Sequence, residues 1–252
     1  MKFYSKTFPT GYINLYPIGD LHYGSPQCEV GYLRGVVDVI RGDKFGWWVG
    51  MGDLMENAII GSKGDTYTQT RTPREQISDI TKILKPIKGR GLFLIGGNHE
   101  QRTTRLVGIS PDELIAYNLE VPFMGFSCFA HFFMKSKTPS GFKCYFHHRP
   151  RRRNDKTPLR DIAPTADCIF TAHTHETART PVVWYDVSDK NIIRKWGVNY
   201  KIGSTISWNE SYAEEKALPP AAVELVRVTL KGATSGKQDN REQRYDPIRW
   251  EI

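Results

Sequence analysis

The stretch Gly96-Gly97-Asn98-His99-Glu100 sets an amide, an imidazole and a carboxylate in succession, directly behind the apolar run Gly91-Leu92-Phe93-Leu94-Ile95. An Asn side-chain oxygen is a hard, neutral ligand for a divalent ion, and a neighbouring His takes up or gives a proton near neutral pH. In isolation such a pair reads as a surface loop after a strand. Four other apolar runs end in the same currency. They lead to Asp20 and His22, to Asp53, to His147 and His148, and to His173 and His175. Six of the seven histidines stand at these ends, His131 being the exception. The donors are nitrogen and oxygen without thiolate, a mix that suits Mn, Fe, Zn or Ni, with Mn²⁺ expected. They are too many for one ion. Two divalent ions about 3.5–4 Å apart, sharing a carboxylate, would use them all.

The elements behind these residues follow from periodicity. Residues 12–18 read as a strand ending in Gly19-Asp20-Leu21-His22-Tyr23-Gly24, and residues 47–51 as a second ending in Gly52-Asp53-Leu54-Met55-Glu56-Asn57. Leu33, Val36, Val37 and Ile40 have helical spacing within residues 31–40. Thr72, Pro73 and Glu75 predict a helix start with a capping box, and Ser110-Pro111-Asp112-Glu113 repeats that signal. Residues 61–70 read as a long loop. Residues 126–134 and 142–146 read as two strands of a hairpin, and 168–170 as a short buried strand before Thr171-Ala172-His173-Thr174-His175-Glu176. Further strands are expected at 181–187, 192–196 and 222–230. The one-residue gaps in Asp20/His22 and His173/His175 fit an extended turn, where residues two apart point the same way. One α/β domain is expected over 1–230, with 231–252 as a polar tail.

Composition bounds the setting. A chain of 252 residues with 39% hydrophobic and 12% aromatic residues supports a sizeable core. No apolar run approaches the roughly 18 residues of a membrane span, and the N-terminal segment lacks the apolar stretch of a secretory signal. Cys28, Cys128, Cys144 and Cys168 are scattered without a Cys-x-x-Cys pair, which fits reduced thiols and a cytoplasmic protein with no membrane partner. A net charge of +8 and a pI near 9.3 lean towards anionic partners.

The ordered set Gly-Asp-x-His, Gly-Asp, Gly-Asn-His-Glu, a lone His, and x-His-x-His resembles the calcineurin-like metallophosphoesterase superfamily. That group includes Ser/Thr phosphatases, nucleases and cyclic-nucleotide phosphodiesterases. The motifs run from Gly19 to His175, and Ala172 stands where the usual pattern has Gly. The resemblance implies a two-sheet β-sandwich flanked by helices. It implies that Asp20, His22 and His175 bind one ion, that Asn98, His173 and either His147 or His148 bind the other, and that Asp53 bridges them. It further implies a shared water made acidic by both ions as nucleophile, with His99 protonating the leaving oxygen or steadying its charge. Glu100 is expected to orient a neighbour, not to touch substrate.

Substrate is set by what surrounds such a centre. Arg102 and Arg105 follow the central turn and either hold phosphate or are solvated surface groups. Arg149-Pro150-Arg151-Arg152-Arg153 follows the lone-His position directly. Each of its guanidinium groups offers a planar fork for phosphate oxygens. Three readings compete: a phosphodiesterase or nuclease with DNA or RNA as the favoured substrate, a phosphomonoesterase acting on proteins or nucleotides, and an inactive nucleic-acid-binding scaffold. The first is favoured by the basic charge and the arginine run. The third ranks last because the ligand set is intact. Oligomeric state is not addressed by the sequence.

Overall fold

The apolar runs become strands of two stacked sheets in the computed structural model, which describes residues 1–62, 66–135, 140–148, 165–187, 191–217, 220–233 and 242–248. In chain order the elements are β1 (Lys2–Phe8), β2 (Tyr12–Ile18), α1 (Val30–Gly42), β3 (Gly46–Gly50), α2 (Pro73–Leu84), a 3-10 helix (Lys85–Arg90), β4 (Gly91–Leu94), α3 (Asn98–Val107), α4 (Pro111–Asn118), β5 (Ser127–Met134), β6 (Ser140–His147), β7 (Cys168–Thr171), β8 (Thr177–Val187), β9 (Ile192–Ile202), α5 (Tyr212–Glu215), β10 (Leu225–Lys231) and β11 (Glu242–Ile248). The first sheet has the order β1-β5-β6-β7-β9-β8, the second β11-β10-β2-β3-β4. The α/β sandwich expected from the sequence is the observed architecture.

Strands buried on both faces read as near-continuous apolar runs, and β2 shows why. Ile13 and Leu15 point into the layer between the sheets, beside Val49, Phe93, Phe132, Phe146 and Phe170. Tyr16 and Ile18 point the other way, into a second core shared with Leu33, Val36 and Ile40 of α1, Ile80 and Leu84 of α2 and Ile115 of α4. The helices therefore cover the outer face of the second sheet. Thr72 and Glu75 close the capping box that starts α2, with Pro73 in its first turn. Ser110 Oγ accepts from Glu113 N at the start of α4.

Parallel pairing brings the site together. β2 runs parallel to β3 and β3 to β4, while β6 runs parallel to β7 in the facing sheet. The carboxyl ends of these five strands thus open on one edge of the sandwich, where ligands collect in sheets of this kind. The expected hairpin is present, since β5 and β6 pair antiparallel from Ser127↔His147 to Met134↔Ser140.

Several elements are absent from the sequence reading or bounded differently there, among them β1, β11 and α3. β1 pairs parallel with β5 along all seven of its residues. Residues 242–248, read as part of a polar tail, form the edge strand β11 against β10, and main-chain pairing needs no apolar side chains. The sequence reading has no element directly behind the central turn, and Asn98 is itself the first residue of the helix α3. Among the described residues no helix is long and apolar enough to cross a membrane.

Candidate metal centre

The five strand ends converge on one buried polar cluster, and its backbone is unusual. Asp20, His22, Asp53, Asn57, His173 and His175 all have positive φ, between 45° and 70°. Left-handed backbone costs a non-glycine residue on the order of 1–3 kcal/mol, and such residues gather where function over-determines the chain. This corrects the extended-turn reading of the one-residue gaps. Asp20/His22 and His173/His175 converge because alternate residues are wound left-handed, not because the chain is stretched. Asp20 N and His22 N donate to Gly52 O and Asp53 O, which locks the first loop onto the second.

The two aspartates are held alike. Asp20 Oδ2 accepts from His173 N at 2.6 Å, and Asp53 Oδ1 accepts from His99 N, in the first turn of α3, at 2.8 Å. Asp20 Oδ1 is buried and makes no hydrogen bond, while the equally buried Asp53 Oδ2 faces His148 Nε2 at 3.1 Å. An uncompensated buried carboxylate oxygen is costly. The imidazoles around them face inwards in the same way. His22 Nε2 lies 3.0 Å from His175 Nε2, so at most one proton fits between them. His148 Nδ1 meets Met51 O at 2.7 Å and must carry the proton there, which turns Nε2 to Asn98 Oδ1 at 3.2 Å and Asp53 Oδ2 at 3.1 Å. That nitrogen faces two acceptors at once, an arrangement that either a proton on Nε2 or a cation between them resolves. The donor atoms of Asp20, His22 and His175, of Asp53, His148 and His173, and of His22, Asp53 and His99 lie within 4.8 Å of one another in each set. The residues fit divalent ions.

His147 is not part of this cluster. Phe142, Cys144 and Phe146 point into the core between the sheets, and His148 continues that series. His147 lies on the opposite face with Tyr145, their rings stacked 6.2 Å apart. Extending the period of two by one step would have separated them from sequence alone.

His99 Nδ1 meets Glu56 O at 2.7 Å, which leaves Nε2 as the nitrogen that faces Asp53 Oδ2 at 3.9 Å. Glu100 is fully buried and accepts from Asp53 N and Met55 N, so it braces the Asp53 loop. Arg102 Nη1 donates to Glu56 O and Asn57 O, and Arg105 Nη2 to Gln101 Oε1. Both arginines line a cleft of about 850 Å³ whose floor includes His22, Asp53, Asn98, His99, His173 and His175. Gln27, Ser62, Gln69, Glu210 and Lys216 add polar walls that the motif reading did not include. Arg149, Arg151, Arg152 and Arg153 lie outside the described residues.

Protons mark where positive charge belongs. Burial alone would lower His148, yet the Asp53 and Asp20 carboxylates raise it to about 10. Burial likewise opposes protonation of His22, and Glu56, Asp53 and Asp20 overcome it to give about 9. Asp53 stays well below the usual carboxylate range despite burial, because His148, His99 and His22 surround it. Burial pushes Asp20 up to about 7 and lowers His99 to about 4. Burial and the neighbouring His22 hold His175 well below the ordinary imidazole value.

No protein-family model matches the sequence, and no curated protein matches it. Among solved structures the chain is similar to wild-type Vps29 of Entamoeba histolytica complexed with Zn²⁺, at 12% identity and a TM-score of 0.39 over 94% of this chain and 98% of that one. It is also similar to the Pseudomonas putida nuclease MPE, at 12% identity and a TM-score of 0.38 over 93% of this chain and 87% of that one.

Proposed function

We propose that the chain is a phosphoester hydrolase that works with two divalent ions and acts on phosphodiesters, with nucleic acid as the favoured substrate. The observation that carries this reading is the pair of buried carboxylates, Asp20 and Asp53, each with one oxygen held by a main-chain N–H and the other turned towards inward-facing imidazole nitrogens. Asp20, His22 and His175 would hold one ion, Asn98, His148 and His173 the other, and Asp53 would lie between them. When bound, the ions supply an activated water and neutralise charge on the phosphate.

The chain's own residues supply the rest. The main-chain N–H groups of His173 and His99 fix the two carboxylates, so that one oxygen of each stays turned inwards. Because the His99 Nδ1 proton is committed to Glu56 O, proton exchange with substrate runs through Nε2. Arg102 is anchored to the Glu56 and Asn57 carbonyls at the cleft wall, where its charge can steady a phosphate oxygen. The preference for nucleic acid is supported by the net charge of +8 and by the arginine run that begins at Arg149, next to His148 in the chain.

The test is metal analysis of the purified protein followed by Mn²⁺-dependent hydrolysis of bis-p-nitrophenyl phosphate against p-nitrophenyl phosphate. Two ions per chain and faster diester cleavage are expected. Faster monoester cleavage would favour a phosphatase, and a protein without divalent ions would be a binding module. Replacement of Arg151, Arg152 and Arg153 by Ala should leave the small diester untouched. It should weaken oligonucleotide binding and flatten its salt dependence, because fewer counterions are released.

A further inference from the structure

Glu56 follows the proposed bridging residue Asp53 by three positions and holds two histidines at once. Its carboxylate Oε2 lies 3.2 Å from His22 Nδ1. Its main-chain carbonyl meets His99 Nδ1 at 2.7 Å and Arg102 Nη1 at 3.1 Å. The side chain is 18% exposed, so water competes little for these contacts.

The segment itself cannot slide. Glu56 N donates to Tyr23 O at 2.9 Å, which ties it to the loop that carries His22. The next residue, Asn57, is fully buried in left-handed backbone. Asn57 Nδ2 donates to His99 O at 2.7 Å, Asn57 Oδ1 accepts from Thr103 Oγ1, and Asn57 N donates to Gln76 Oε1. The two rings that Glu56 touches pack edge to face with centroids 4.4 Å apart, so orienting one restrains the other.

We infer that Glu56 is a positioning residue of the centre. Its carboxylate and carbonyl together fix the rings of His22 and His99 with both Nδ1 atoms turned outwards and both Nε2 atoms turned to the cluster. The inference rests on the metal-binding reading above. A neutral imidazole free of such a partner prefers its proton on Nε2, the atom that has to bind here. Partners that hold the outer nitrogen of a ligating histidine typically contribute 10–100-fold to metal affinity or activity.

The experiment compares wild type with Glu56→Ala and Glu56→Gln in two measurements. Proton–nitrogen correlation spectra of the metal-free protein, at a pH where the ring is neutral, report the His22 tautomer. Titration with Mn²⁺ and Zn²⁺ reports affinity. Wild type should show the Nδ1–H form. Glu56→Ala should shift His22 towards the Nε2–H form and weaken one ion by about 10–100-fold. Glu56→Gln, whose amide oxygen still accepts from Nδ1–H, should keep the wild-type tautomer and bind within about 10-fold of wild type. Glu56→Leu, of similar bulk and without an acceptor, replaces Glu56→Ala if circular dichroism shows the latter unfolded. An unchanged tautomer and affinity without the carboxylate would overturn the inference, as would a Gln variant as impaired as the Ala variant. A wild type that binds no ion would sink the metal reading instead, and the metal-free spectra would still decide the role of Glu56.

Discussion

His147 and His148 are neighbours in the chain but face opposite sides of the sheet. His147 ends β6 and His148 follows it, and the alternation sends His147 to the Tyr145 face and His148 to the face of Cys144 and Phe146. Met51 O then accepts a hydrogen bond from His148 Nδ1–H, which aims Nε2 at Asp53 and Asn98. Truncating a ligand should cost more than losing a residue that only orients one, so His148→Ala should weaken one ion by more than about 100-fold. Diester hydrolysis should fall at least as far. His147→Ala should keep wild-type metal content and turnover. Elemental analysis and a Mn²⁺-dependent rate on the two variants check this, and the reverse pattern would exchange their roles.

At the scale of elements, the site depends on α3 starting hard against the Asp53 loop. Gly97 makes that approach possible. A Cβ there would run into Asp53 N, Asp53 Oδ1 and Glu100 Oε2, whereas one on Gly89, in the 3-10 helix, would meet nothing within 4 Å. Gly97→Ala should therefore destabilise by about 1–3 kcal/mol in urea unfolding and loosen the metal site, as overpacking does. Gly89→Ala should do neither, and equal effects would disprove the steric account. The strand ends that converge on the candidate centre were legible because a doubly buried strand is an apolar run, and the Asp, Asn and His residues stand directly behind it. α3 was not legible, since its one buried side chain along Asn98–Val107 is the charged Glu100 and a predominantly polar segment offers no apolar core face to read. β1 and β11 lie at sheet edges, where main-chain pairing to β5 and β10 decides and polar residues mask the pattern. The left-handed residues were hidden for another reason. Asp and His adopt that backbone only when contacts such as Asp20 N to Gly52 O impose it, and those contacts join loops far apart in sequence.

For the whole molecule, the centre couples stability to both pH and metal. In the metal-free fold His22 is raised to about 9 and His148 to about 10, against the 6.5 of an unfolded chain. The native state then holds protons that the unfolded state releases. The stability this supplies is complete below pH 6.5 and is lost as pH climbs through about 9 and about 10. Asp20, raised from 3.8 to about 7, acts in the same direction at lower pH. Metal-free protein should thus lose stability from pH 6.5 to 8.5, by on the order of 1 kcal/mol per pH unit for each extra proton held. Divalent ions at the proposed centre should remove the trend, because they would bind the deprotonated donors and displace those same protons. Mn²⁺ at about 100 times its dissociation constant should add about 2.7 kcal/mol, or roughly 5–11 °C in Tm for a chain of this size. The gap between Mn²⁺-loaded and chelator-treated protein should widen as pH rises over that range. Thermal melts at fixed ionic strength, together with calorimetry in buffers of different ionisation enthalpy, measure the gap and the protons released. Parallel melting curves with no proton release would mean that the protonated histidines are not the groups the ions displace.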